Sequence, residues 1–184
     1  MRRAFAEIDV FTAVPYLGSP LAVVLNGEGL SPGWPTAASP KTAEAVAALG
    51  ISPAAVVDSA WIDNGPGWLG ILLATAEEVL SIKPSNTSLK VGVIGPQPAG
   101  SSSVYEVRAF FPEGASTIED PVTGSLNASV AQWLVGSGRF TPPYVATQGT
   151  VLSRAGRVYI SSDAGGQIWV GGDAVGCVSG FVEL

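Results

Sequence analysis

Twenty-three glycines and fourteen prolines are spread along the 184 residues, and between them the apolar segments stay short. A chain punctuated this often cannot build a helical bundle, because it turns too frequently and its apolar pieces are strand-sized. One stretch escapes the punctuation. From about Ser125 to Val135 apolar residues recur at Leu126, Val130, Ala131, Trp133 and Leu134, the spacing of a helix with one buried face. Many short strands and one principal helix describe an α+β domain in which a curved sheet wraps a helix. With 47% hydrophobic and 13% charged residues, the apolar material for such a core is there.

The strand-sized pieces begin with "AFAEIDVFTA" (4–13) and "GSPLAVVLN" (18–26), partners across a Pro-Tyr-Leu-Gly turn. "AVVDSAWI", "GWLGILLAT", "KVGVIGP" and "VYEVRAFFP" (104–112) follow. "KTAEAVAALG" has helical spacing and stops at Gly50, while Thr75, three residues before Glu78, predicts a capping box on a second short helix ended by Pro84. Residues 27–40, "GEGLSPGWPTAASP", show no period and read as a linker or a distorted loop. The tail, "YVATQGTVLSRAGRVYISS" and "QIWVGGDAVGCVSGFVEL", reads as two hairpins separated by glycine-rich turns.

There is no histidine. That removes Ser-His-Asp and Cys-His catalysis, and Cys177 alone cannot supply the ligands of a zinc site. Acid–base chemistry falls to carboxylates, lysine, tyrosine or the one thiol, and no cofactor is expected. The net charge of −6 speaks against a nucleic-acid partner, whose phosphates need basic neutralisation. "MRRAFAEIDVFTAV" places acids before any long apolar run, unlike a signal peptide, and no apolar run is long enough to span a membrane. A single cysteine makes no internal disulfide. The expectation is a soluble cytoplasmic protein.

Two motifs carry chemistry. "GPGWLG" (65–70) matches G-x-G-x-x-G, but a β-like "ILLAT" follows where that fingerprint needs a helix, and Pro66 occupies the turn. A tight turn between strands is expected, with Asp63 as a candidate cleft residue. In "EDPVTGS" (119–125) Pro121 pushes Asp120 towards an extended conformation, Gly124 allows a sharp turn and Ser125 is suited to cap the helix that follows. The free N–H groups of that first turn would cradle a substrate carboxylate beside Asp120. The spacing alone equally fits a plainer role, in which Glu119 and Asp120 only complement the positive end of the helix.

Taken together, "DVFTAVPYLGSPLAVVL", "WIDNGPGWLGILLA", "YEVRAFFPEG", "EDPVTGSLNASVAQWL", "YVATQGTVLSRAGRVYI" and "IWVGGDAVGCVSGFV" resemble the PhzF-like family (phenazine biosynthesis PhzF), relatives of diaminopimelate epimerase. The resemblance implies a diaminopimelate epimerase-like fold: two pseudo-symmetric lobes, each a mostly antiparallel sheet rolled around a central helix, with the site in the cleft between them. It implies a cofactor-free isomerisation by proton transfer on a small carboxylate-bearing metabolite, and often a homodimer. By position, Asp120 is the family's aspartate, and Gly124 and Ser125 are its carboxylate-binding turn; Cys177 takes no role.

The likeness is broken where the family carries its acid–base glutamate in a Ser-Glu-Thr step and a Gly-His-Pro turn. Here "LAVVLNGEGLS" runs almost directly into "PTAASPKTAEAVAALGISPAAVV", and Glu44, the only acid of the second stretch, stands in a context unlike the family's. Residues 1–45 are therefore expected to be the remnant of a first lobe and 46–184 the second lobe, with the C-terminal strands able to complete the first. Either the chain is a short form, or a segment is missing that would leave a spatial break near residues 28–42. Activity then depends on that segment or on a partner chain, and a second copy is the expected partner. The alternative is a non-catalytic module, or a degenerate member of the family, that binds a small carboxylate without turnover.

Overall fold

The alternating segments pair into two sheets. The computed structural model describes residues 2–24 and 41–183, with side chains over 9–19 and 41–179. Strands β1 (Arg2–Val10) and β2 (Ser19–Val24) form the opening antiparallel hairpin, and β11 (Ala174–Glu183) pairs antiparallel along the other edge of β1. The linker read at 27–40 and the break considered near 28–42 fall on residues outside the described ones, apart from Lys41 and Thr42.

The larger, eight-stranded sheet contains β3 (Val56–Asp63), β4 (Gly67–Leu73), β5 (Val91–Pro96), β6 (Tyr105–Glu113), β7 (Ser116–Asp120), β8 (Tyr144–Gln148), β9 (Gly156–Ser162) and β10 (Ile168–Gly171). Its order is β10-β9-β8-β6-β5-β4-β3. β8 pairs with residues 105–107 of β6, and β7 pairs with residues 109–113 farther along the same strand. Residues 64–66 form the turn expected of "GPGWLG", between β3 and β4.

Three α-helices are described: α1 (Thr42–Ala48), α2 (Ala76–Ser81) and α3 (Gly124–Gly136). The capping box forms, with the Glu78 amide donating to Thr75 Oγ1 at 3.2 Å and the Thr75 amide to Glu78 Oε2 at 3.0 Å. Such a cap contributes about 1 kcal/mol.

Strand alternation sends successive residues to opposite faces, and this gives two cores. Tyr105, Val107 and Ala109 of β6 meet Leu126, Val130 and Leu134 of α3. Phe110 points to the other face, with Val46, Leu49 and Val79 of α1 and α2. The sheet curls, because β3 and β10 at its two ends both touch α3. Leu126 is the plug: a Cβ on Gly92 would stand 2.4 Å from Leu126 Cδ1, so the helix meets the sheet where the strand has no side chain.

The tail departs from the two predicted hairpins. β8 and β9 do pair as a hairpin, but β10 pairs with β9 while β11 crosses to β1. The crossing runs through Gly172, where a Cβ would stand 2.6 Å from Phe11 Cδ1, and the Thr12 amide donates to the Asp173 carbonyl at 3.2 Å. The 11–18 turn is fastened on its other side as well. The amides of Arg157 and Ala155 donate to the carbonyls of Phe11 and Leu17, each at 2.8 Å. Among the described residues no helix is long and apolar enough to cross a membrane.

Candidate active site

The register of β7 decides what its two acids do. Asp120 pairs with Ala109, whose side chain belongs to the α3 core, while Glu119 pairs with Phe110 of the opposite core. Paired residues share a face, so the adjacent carboxylates leave the sheet in opposite directions. Glu119 meets Arg108 in a two-pronged ion pair, Nε to Oε1 at 2.9 Å and Nη2 to Oε2 at 2.7 Å. Arg108 Nη1 also donates to the carbonyls of Val79 and Ile82 at the end of α2. Glu119 therefore does not serve the positive end of α3. It ties β6, β7 and α2 together.

Asp120 is half-buried beside the start of α3. Its Oδ2 accepts a 2.6 Å hydrogen bond from Thr123 Oγ1. Burial lifts the Asp120 carboxyl above its ordinary value, and the Thr123 bond pulls it part of the way back. Behind it lies Gln148, 1% exposed, whose Nε2 donates to the Asp120 carbonyl at 3.0 Å and to Thr123 Oγ1 at 3.1 Å. Gln148 Oε1 accepts from the Thr123 amide and from Asn127 Nδ2.

Ser125 is not the cap. The cap position is Thr123, extended at φ −110°, and its hydroxyl is turned to Asp120 rather than to a helix amide. Ser125 is instead the second residue within α3. Because Thr123 gives its side chain away and the first intrahelical bond runs from Asn127 to the Thr123 carbonyl, the amides of Gly124, Ser125 and Leu126 have no partner among the described residues. Phe11, from the opening turn at φ 65°, lays its ring edge over this spot: a Cβ on Gly124 would stand 3.3 Å from Phe11 Cζ. Gly124 and Ser125 stay half-exposed beneath it.

Asp120, Gly124 and Ser125 are thus brought together, and Asp63 is not. Asp63 ends β3, where its Oδ1 accepts from the Gly65 amide at 2.8 Å and serves the turn. Three strands separate β3 from β7 in the sheet, a path of about 19 Å at the usual strand spacing. Glu44 accepts from Ser88 Oγ at 2.7 Å and belongs to α1, whose core lies on the opposite face of the sheet from Asp120. Cys177 is half-buried and lies in β11. Two surface concavities, of about 350 and 550 Å³, are lined by residues of α1, the 49–56 segment and α2; none of the four predicted residues lines either.

Thr123, Asn127 and Gln148 escaped the sequence reading, as did β7. A signal was present. Tyr144, Ala146 and Gln148 share the buried face of β8, and an amide side chain in a core register needs partners. Thr117 and Ile118, just past the Gly114 turn, were the β-branched cue to β7.

The profile of the family described as phenazine biosynthesis-like protein (PhzC-PhzF) matches residues 31–180. The chain belongs to this family. Among curated proteins, the phenazine biosynthesis-like chain is 36% identical over 134 residues to antisense-enhancing sequence 1 of Schizosaccharomyces pombe, covering 65% of this chain and 44% of that protein. It is 30% identical over 149 residues to an uncharacterized isomerase of Pasteurella multocida, covering 73% and 48%. The chain spans about half the length of these curated relatives. The fold is shared with a PhzF-family phenazine biosynthesis protein of Bacillus anthracis, with a TM-score of 0.72, 15% identity and 100% of each chain covered. It is also shared with a predicted epimerase of Pseudomonas aeruginosa, with a TM-score of 0.71, 16% identity and 99% of each chain covered. The α+β, epimerase-like curled sheet expected from the resemblance is the fold observed.

Proposed function

We propose that this chain is a PhzF-like isomerase or epimerase that moves a proton on a small carboxylate-bearing metabolite without a cofactor. The observation that carries the reading is the meeting of Asp120 with the unpartnered amides of Gly124 and Ser125. The substrate carboxylate rests on those amides, where the helix start favours negative charge. Asp120 takes the proton from the adjacent carbon, and the electron pair left behind is delocalised towards the bound carboxylate. Asp120 then returns the proton to another carbon on the same face of the substrate, whereas epimerisation takes a second acid from the facing wall. Burial supports this role, because it makes Asp120 a stronger base than a carboxylate in water. The relative from Pasteurella multocida, named an isomerase, supports the reaction class.

We read β11-β1-β2 as the part of a first lobe that this chain carries, and a second copy or partner chain as the source of the facing wall. Val14, Tyr16, Trp169 and Val178 are large apolar residues left exposed on the opening turn and the C-terminal strands, which supports an association there. The test uses deuterium oxide and a panel of small amino and hydroxy acids. Wild-type protein incorporates deuterium at the reacting carbon of one member, and Asp120→Asn abolishes it with the fold intact. Unchanged incorporation in that variant sinks the reading.

One observation favours a second reading, a carboxylate-binding module without turnover. The side chain bonded to the Asp120 carboxylate is Thr123, and among the described residues no second acid is hydrogen-bonded to it to complete a proton relay. Calorimetric binding of a panel acid with no deuterium incorporation at any protein concentration would select that reading.

A further inference from the structure

The hydrogen bonds behind Asp120 have a fixed direction. The Thr123 amide can only donate, so the Gln148 atom 3.1 Å from it is the amide oxygen. The Asp120 carbonyl can only accept, so the Gln148 atom 3.0 Å from it is the nitrogen. The side-chain orientation of Gln148 follows from these two backbone groups alone. That same nitrogen also faces Thr123 Oγ1 at 3.1 Å and donates to it. With an acceptor position of the hydroxyl filled, its own proton goes to the remaining neighbour, Asp120 Oδ2, at 2.6 Å. Asn127 Nδ2 holds Gln148 Oε1 from the other side at 2.7 Å, and Gln148 itself is 1% exposed.

We propose that Gln148 is a positioning residue: it holds the Thr123 hydroxyl as a donor to Asp120 and fixes the Asp120 backbone, so that the second carboxylate oxygen remains for the substrate proton. The inference rests on the reading of Asp120 as the acid–base group. Linked donors of this kind polarise one another, which strengthens the last bond in the chain. The network also carries a cost. Asn127 Oδ1 is buried without a partner, which a purely structural contact between α3 and β8 would avoid with apolar side chains. Two charged neighbours of this segment are occupied elsewhere: Glu119 is paired with Arg108 on the opposite face, and Arg154, beside Gly149, donates to the Tyr16 carbonyl.

The test is a carbon-13 NMR titration of the Asp120 carboxyl in the full chain, which needs no substrate. Thr123→Val removes the donor and shifts the Asp120 midpoint upward. Gln148→Met, similar in size and without hydrogen bonds, also shifts it upward, but by clearly less in the Thr123→Val background, where only its bond to the Asp120 carbonyl remains to be lost. A Gln148→Met shift of equal size in both backgrounds, or none in the first, overturns the proposal, as does an unmoved midpoint in Thr123→Val. Should Gln148→Met fail to fold, Gln148→Glu keeps the shape but offers Thr123 an acceptor, and an unchanged midpoint in that variant overturns the proposal too. The deuterium assay judges the acid–base role separately. Failure there leaves the titration result standing, and the two failures are distinguishable.

Discussion

Glu119 and Asp120 are neighbours in sequence and lie on opposite faces of one sheet. Glu119 is locked to Arg108 at 2.7 Å, with side-chain exposures of 10% and 3%, and Asp120 is half-buried against the start of α3. One strand thereby splits an acidic pair into a member held in an ion pair and a member set beside the free amides of a helix start.

Breaking the structural member should be costly. Glu119→Gln leaves the Arg108 guanidinium buried without its counter-charge, and losses of this kind run to about 3–5 kcal/mol. Replacing both at once, as in Arg108→Met with Glu119→Leu, removes the buried charge altogether and should cost less than Glu119→Gln alone. Urea denaturation at neutral pH measures both, and a double variant less stable than the single one would contradict the argument.

Asp120 works in the other direction. Burial raises its carboxyl in the folded chain, so folding favours the protonated form. Stability from this group is complete below the unfolded-state value, near 3.8, and is lost as pH rises through the folded-state value. Asp120→Asn cannot ionise. It should therefore melt above wild type at pH 7, with the gap closing as pH falls towards 3. A variant that melts below wild type at pH 7 would show that Asp120 is held for stability rather than for chemistry.

Much of this arrangement was legible in the chain. The spacing of Leu126, Val130 and Leu134 gave α3, Thr75 and Glu78 gave the cap of α2, and the pairing of β1 with β2 followed from alternation. The resemblance pointed to Asp120, Gly124 and Ser125 as one group. What stayed hidden depends on pairings between distant segments. The resemblance allowed the C-terminal strands to complete the first lobe, but nothing local says that β11 leaves β10 for β1, because both strands alternate equally well; the crossing passes Gly172, where the absence of a Cβ makes room for Phe11. Thr123 looked like one more polar residue before a helix. Its role is set by Gln148, 25 residues on.

Gly149 should be sensitive for a backbone reason. It sits at φ 91°, and a Cβ there would stand 2.6 Å from the Pro121 carbonyl oxygen, a contact no flexible side chain can relieve. Gly149→Ala must displace either Pro121, and with it Asp120, or the end of β8 that carries Gln148. The expected outcome is a loss of about 1–3 kcal/mol from the strained backbone together with a shifted Asp120 carboxyl signal. A shift-free, fully stable variant would mean that the 121–123 segment is not held against β8 as described.

The placement of the α3 amides rests on Leu126, and the fit can be tested from both sides. Leu126→Ala empties a fully buried position at the first turn of α3 and should cost about 2–5 kcal/mol. Gly92→Ala should push against the same side chain, whose Cδ1 would lie 2.4 Å from the new Cβ, lifting the helix start from the sheet and carrying the Gly124 and Ser125 amides away from Asp120. The two changes compete for one space. Combined, they should be less destabilising than the sum of the single effects, by a margin of at least about 0.5 kcal/mol expected for residues in direct contact. Strict additivity in a denaturation cycle would mean that Leu126 does not seat against Gly92, and the helix start would then owe its position to Gln148 and Phe11 alone.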